Sequence, residues 1–126
     1  MDHGELMDFE KLNQYLLSKP EAIIDYPFGD DVMVLKVKGK MFALVGKREW
    51  KGTPTTMLNL KCDPNESFMI KDIFPSITSG YHMNKKHWIS IYFDGSVPDG
   101  EVERLIDGSY DLIVSKLPKL ARISLL

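Results

Sequence analysis

The chain has 126 residues, with 16 Lys+Arg against 18 Asp+Glu, 44% apolar and 27% charged residues, one Cys and a formal charge of −2. That is enough for one domain with one core, residues 1–126, and too little for two. No apolar run approaches the roughly 20 residues of a membrane-spanning helix, and the acidic start MDHGELMDFE lacks the blocks of a signal peptide. Cys62, being alone, excludes an intrachain disulfide or a thiolate-rich metal site, so a cytoplasmic protein with no membrane contact is expected.

From Asp8 to Lys19, Phe9, Leu12, Leu16 and Leu17 fall near helical spacing, with Asp8 as N-cap and Pro20 closing the run. After the connection DYPFGDD, the β-branched-rich runs Val32 to Val37 and Met41 to Val45 flank Lys38-Gly39-Lys40 and predict a hairpin. The polar, basic segment GKREWKGTP is expected to be an exposed loop leading to a third strand, Thr55 to Lys61. Asp63-Pro64-Asn65-Glu66 combines an N-cap acid with Pro in the first helical position, so a second helix starts there and ends near Phe74, before Pro75. It is expected to bury Met69, Ile70, Ile73 and Phe68. Ile77 to Met83 is ambiguous, whereas Trp88 to Phe93 alternates cleanly, and the two predict a second hairpin through NKK. Pro98 and the acids Asp99, Glu101 and Glu103 suit the start of a last helix whose stripe is Val102, Leu105, Ile106, Tyr110, Ile113 and Leu117, stopped by Pro118.

This order, αβββαββα, predicts an α+β fold in two layers: a five-stranded antiparallel sheet with helices on one face. With the isoleucines of the last strand turned to the helices, Asn59, Lys61, Trp88 and Tyr92 share the other, open face.

The net charge conceals a polarity along the chain. Residues 1–31 carry two Lys and eight acids, whereas residues 32–61 carry Lys36, Lys38, Lys40, Lys47, Arg48, Lys51 and Lys61 against Glu49 alone. A Lys-rich sheet-and-loop surface beside Trp50, Trp88 and Tyr92 is suited to neutralising phosphates and stacking on bases. Lysines on strands also serve simply to block edge-to-edge pairing. With a pI near 5.9 the domain lacks an overall basic footprint, so contact with DNA is expected to be weak or local.

The densest polar cluster runs from Tyr81 to Trp88. His82 and His87 are five apart, which does not match a helical metal pair, and no third ligand is evident, since His3 lies near the terminus and Cys62 follows another strand. No metal and no cofactor are expected. Cys62 lacks a nucleophile motif and reads as a small buried residue, although a nearby helix N-terminus would lower its pKa. Neither GxxxxGK[ST] nor GxGxxG occurs, and Asp30 and Asp31 precede a strand where a capping or solvated role is sufficient.

The runs GYHMNKKHWISIYFDGSVPD, LNLKCDP and IDGSYDLIVSKLP resemble the MmcQ/YjbR family of small bacterial proteins, from about the first helix to Pro118. The pattern is carried by His82, Asn84, Lys85, His87, Trp88, Tyr92, Asp94, Gly95, Ser96, Pro98 and Asp99, and PFGDD and Lys36 also fit it. The resemblance implies a two-layer fold like that of type III secretion chaperones and a predicted DNA-binding role through a double-wing arrangement of hairpins, with no catalytic residues to carry over. The leading expectation is therefore a non-enzymatic DNA-binding module. Lys47, Arg48, Lys51 and Lys61 would meet phosphates, and His82, Asn84, Lys85, Lys86, His87 and Trp88 would form the adjoining surface. The alternative is an adaptor that receives a protein partner, or a second copy as a homodimer, on the open sheet face or an edge. A small-molecule enzyme centred on His82, His87 and Asn84 would require a concave pocket joining them.

Overall fold

The computed structural model describes residues 8–125. Its elements are α1 (Phe9–Leu17), β1 (Ile23–Asp25), β2 (Met33–Val37), β3 (Lys40–Trp50), β4 (Thr53–Lys61), α2 (Pro64–Ile73), β5 (Ile77–Ser79), β6 (Trp88–Tyr92), α3 (Asp99–Ser115) and α4 (Lys119–Ile123). The strands form one antiparallel sheet in the order β1-β2-β3-β4-β6-β5. The α+β class and the two layers agree with the sequence reading. The sheet has six strands rather than five, because Ile23–Asp25 adds to the edge of β2. Three residues with both isoleucines exposed give no alternation to read. Beyond Pro118 the chain also makes a further short helix instead of simply stopping.

The largest departure lies in GKREWKGTP, which is no loop. β3 runs on to Trp50 and returns at Thr53 through Lys51 and Gly52, whose φ values of 52° and 84° are those of a two-residue hairpin turn matched to strand twist. Lys38 and Gly39, at 50° and 79°, repeat that turn between β2 and β3. The second hairpin was hard to read because its outer half projects beyond the core, so neither side of the strand needs to be apolar.

Register builds the core. Ala43 and Val45 pair with Leu60 and Leu58, and these pair with Ile89 and Ile91, so six apolar side chains line one face. Upon it α3 lays Val102, Leu105, Ile106, Tyr110 and Ile113, and α1 adds Leu12 and Leu16. Asp8 caps α1 by accepting from Lys11 N, and Asp63 caps α2 by accepting from Asn65 N and Glu66 N, as their sequences indicated. One residue beyond the last β3–β4 pair, α3 is stitched into the sheet. The buried Ser109 Oγ accepts from Lys61 N (2.9 Å) and donates to Phe42 O (2.6 Å), beside the irregularity that shifts the β2–β3 register.

The second helix reverses its expected burial. Phe68, Met69 and Ile73 are 77%, 61% and 62% exposed, and only Ile70 of the four predicted residues enters the core, with Ser67. α2 lies beside the short edge strand β5 rather than over the sheet centre, so most of its apolar surface finds nothing to cover. Phe9 and Leu17 of α1 are likewise about half exposed.

Candidate functional site: the loop-covered sheet face

Arg48, Thr55, Met57, Asn59, Lys61, Trp88, Ser90 and Tyr92 alternate onto the face opposite the helices. The sequence placed Asn59, Lys61, Trp88 and Tyr92 there, and the alternation holds. The face is nevertheless not open. β5 and β6 are joined not by a tight turn but by residues 80–87, which fold back across it over Asn59 and Ser90, 1% and 0% exposed, while Tyr92, 1% exposed, lies under Trp50.

Buried polar groups need partners, and here they provide them for one another. Asn59 Nδ2 donates to Tyr81 O (3.1 Å), Tyr81 N donates to Ser90 Oγ (2.8 Å), and Ser90 Oγ donates to Asn59 Oδ1. The entry to the loop requires glycine. A Cβ on Gly80 would stand 2.7 Å from the Trp88 Cβ, and the close approach lets Gly80 N donate to Trp88 O (2.9 Å). Asn84 Oδ1 accepts from Lys86 N (2.9 Å), while its carbonyl receives His87 N and Trp88 N. Lys85 Nζ donates to Gly80 O (3.1 Å). Asp94 likewise accepts from Ser96 N and Oγ, and Gly95 takes a φ of 87°. Much of the HxNKxHW…DGS pattern therefore builds turns. His82 differs: it is exposed, its backbone is left-handed (φ 57°), and its ring lies 4.0 Å from that of Tyr81. His87 and Trp88 are half-buried at the return of the loop.

The β3–β4 hairpin supplies the second basic element. The Arg48 guanidinium lies 3.7 Å above the Tyr81 ring and donates to Tyr92 Oη (2.6 Å), a bond that raises its pKa. Trp50 stacks on Tyr92 (4.1 Å, 6°) and donates from Nε1 to Asp94 Oδ2 (3.0 Å). Burial alone would raise the Asp94 pKa, but its bonds from Ser96 and Trp50 prevail and hold it below the ordinary carboxylate value. Tyr92 is thus no platform for a base, and one face of Trp50 is already occupied. Lys51 sits at the exposed turn, 5.6 Å from the Trp50 ring. At the other end of the face Lys61 is beside Lys116; burial first, then this second ammonium, lowers its pKa.

Lys47 alternates away from Arg48 and instead lines a cleft with His82. That cleft takes in His82 but neither Asn84 nor His87. Among the described residues, no group of three His, Cys, Asp or Glu side chains is placed to hold a metal, and His3 lies outside them. Cys62 is buried with its pKa raised to about 11 by desolvation and the Glu66 and Asp63 carboxylates, opposite to the lowering expected near a helix N-terminus.

Among the described residues, no carboxylate forms an ion pair with Lys47, Arg48, Lys51, Lys61, Lys85 or Lys86. Lys36 and Lys38, by contrast, pair with Asp25 (2.8 Å) and Glu21 (2.9 Å). The site residues that sequence reasoning missed are Tyr81, Ser90 and the Arg48–Tyr92 bond. Tyr81 adjoins the signature, but only the fold brings it under Arg48.

Comparison with known proteins gives consistent matches. The YjbR family model matches residues 17–112. The Escherichia coli O157:H7 protein YbdF is 40% identical over 110 residues, spanning 87% of each chain, and Escherichia coli K12 YjbR is 31% identical over 116 residues, 92% of this chain and 95% of its own. Among solved structures, a Deinococcus radiodurans protein, DR2400, superposes with a TM-score of 0.82 at 32% identity, covering 96% of this chain and 88% of its own. A Pseudomonas syringae protein gives 0.74 at 25% identity, covering 84% and 98%. No helix among the described residues is long and apolar enough to cross a membrane.

Proposed function

The chain belongs to the YjbR family, and from that premise we propose that it is a non-enzymatic nucleic-acid-binding module whose two basic projections, the β3–β4 hairpin and the loop of residues 80–87, contact phosphates together. The observation that carries this reading is their mutual attachment: Arg48 of one rests on Tyr81 of the other, with Lys51, Lys85, Lys86 and Lys61 distributed around them and, among the described residues, no carboxylate paired to any of them. A cation held by two tyrosines loses little conformational freedom on meeting a phosphate. The half-buried Trp88, with Asn84 and His87, supports the loop rather than offering a stacking surface.

The test is salt dependence. If four or five phosphates are neutralised, log affinity for a duplex falls against log salt with a slope of about −4. Association that is undetectable at low salt, or flat against salt, overturns the reading. The sheet face offers an adaptor little open surface, since Asn59 and Ser90 lie under the loop and Tyr92 under Trp50. What favours a protein partner is the outward apolar side of α2 at Phe68, Met69 and Ile73.

A further inference from the structure

The cleft that Lys47 and His82 line, of about 820 Å³, opens where the β2–β3 end of the sheet meets the segment between β1 and β2. Its size is that of a small-molecule site. Three aromatic residues, Phe9, Tyr26 and Phe28, line it while remaining 52%, 49% and 67% exposed. Met83 also lines it, and so do the largely buried Met33 and Met57, which reach its edge from opposite faces of the sheet. Asp30 and Asp31 also line it, both exposed, and among the described residues neither is paired with a cation.

We propose that this cleft binds a small amphipathic organic cation, an amine on an aromatic or apolar body. The body would lie among the rings and methionines, and the ammonium would meet the two carboxylates and the ring faces, whose quadrupoles attract cations. Charge complementarity favours a cation over an anion. The two carboxylates are adjacent on one short segment, whereas Lys47 and His82, which also line the cleft, come from separate elements. Lys47 is an exposed side chain that can swing its ammonium into water when a cation enters. The cleft shares Tyr81 and His82 with the loop of residues 80–87 and engages the PFGDD segment as well, for which the nucleic-acid reading has no use.

The experiment titrates the full chain at pH 7 with 1-naphthylmethylamine, 1-naphthalenemethanol and 1-naphthoate, which share a ring system and differ in charge, while backbone amide shifts are followed. The amine is expected to saturate near or below about 1 mM, as suits about a dozen heavy atoms, with shifts confined to residues 26–33, 44–47 and 81–83. The alcohol should bind about fivefold more weakly and the carboxylate more weakly still. Asp30→Asn with Asp31→Asn should reduce the amine to the level of the alcohol and leave the alcohol unchanged. Phe28→Ala should weaken both alike, and since these residues are exposed the variants are expected to fold, which circular dichroism checks. An amine that fails to saturate by about 10 mM, shifts centred elsewhere, naphthoate bound as tightly as the amine, or a double Asn variant with undiminished amine affinity would each overturn the proposal.

Discussion

The β2–β3 and β3–β4 hairpins make the same turn, a Lys and a Gly both at positive φ, yet they hold their charge differently. In the first, Lys36 and Lys38 reach Asp25 and Glu21 in or before the edge strand β1. In the second, Arg48 is held by the Tyr81 ring and the Tyr92 hydroxyl, and Lys51 stands at the tip without an acid partner among the described residues. Within the seven-cation stretch, Lys36 and Lys38 are satisfied within the molecule, whereas Arg48 and Lys51, like Lys40, meet no carboxylate among the described residues. The comparison can be broken most directly by charge removal. Replacing Arg48, Lys51 and Lys86 with Gln is expected to weaken duplex binding about 100-fold at low salt and flatten the salt slope by about 3, whereas Lys36→Gln with Lys38→Gln should change affinity less than about threefold. Fluorescence anisotropy of a labelled duplex measures both. Equal losses in the two sets would erase the distinction drawn here.

The same contrast can be sharpened by loosening one covering layer at a time. Asn59→Ala removes the partner of Tyr81 O and Ser90 Oγ beneath the loop and should cost about 1–3 kcal/mol, read from urea unfolding. It should also speed amide exchange in residues 80–87 and weaken duplex binding, because Tyr81 no longer sits firmly under Arg48. Ser109→Ala strips the stitch between Lys61 N and Phe42 O on the helix side. Its stability cost should be of the same order, about 1–3 kcal/mol, with nucleic-acid affinity at stabilities above the unfolding transition left unchanged. If Ser109→Ala lowers affinity as much as Asn59→Ala, the loop is not what presents the cations.

How legible all this was depended on whether a residue's role is local. The caps at Asp8 and Asp63, the Lys38-Gly39 turn, the stripe of α3 and the alternation of β6 all follow from spacing within a few residues, and each is found as read. Where the outcome depends on what lies across from a segment, sequence could not supply it. Phe68, Met69 and Ile73 have helical spacing and high hydrophobicity, but burial needed a partner surface that the sheet edge at β5 does not provide. The length of β3 was hidden because its outer half is polar on both sides. At the site, Trp88, Tyr92 and Asn59 were placed on the correct face by parity, yet parity says nothing about an eight-residue connection folding back over Asn59 or about Trp50 lying on Tyr92. The ion pairs of Lys36 and Lys38 were equally out of reach, since they depend on a strand, β1, too short to announce itself.

Cys62 supplies a smaller contrast between sequence position and environment. With its thiol pushed up to about 11, only about one molecule in a thousand carries the thiolate at pH 8. Alkylation by iodoacetamide at that pH should run far below the rate of an exposed cysteine in the native chain and recover in urea, as intact-mass measurement would follow. Fast native labelling would mean the site opens.

The smallest effect lies in the satisfied hairpin itself. The Lys36 ammonium, and after it Tyr26 N, hold Asp25 below the ordinary carboxylate range; Lys38, and after it Ser124, do the same for Glu21. A carboxylate depressed in the folded state contributes stability that is present above its unfolded pKa, near about 4, and is lost as pH falls through the folded value. Both groups are solvent-exposed, so screening makes this contribution too slight to show in global unfolding. Side-chain carboxyl NMR resolves it. Wild-type Asp25 and Glu21 should titrate below the ordinary carboxylate range, and Lys36→Gln should move Asp25 upward only part of the way, because Tyr26 N still donates to it (2.8 Å), while Glu21 stays in place. If Asp25 already titrates in the ordinary carboxylate range in the wild type, Lys36 is free in solution, and the first hairpin would have as much unpaired charge to offer a polyanion as the second.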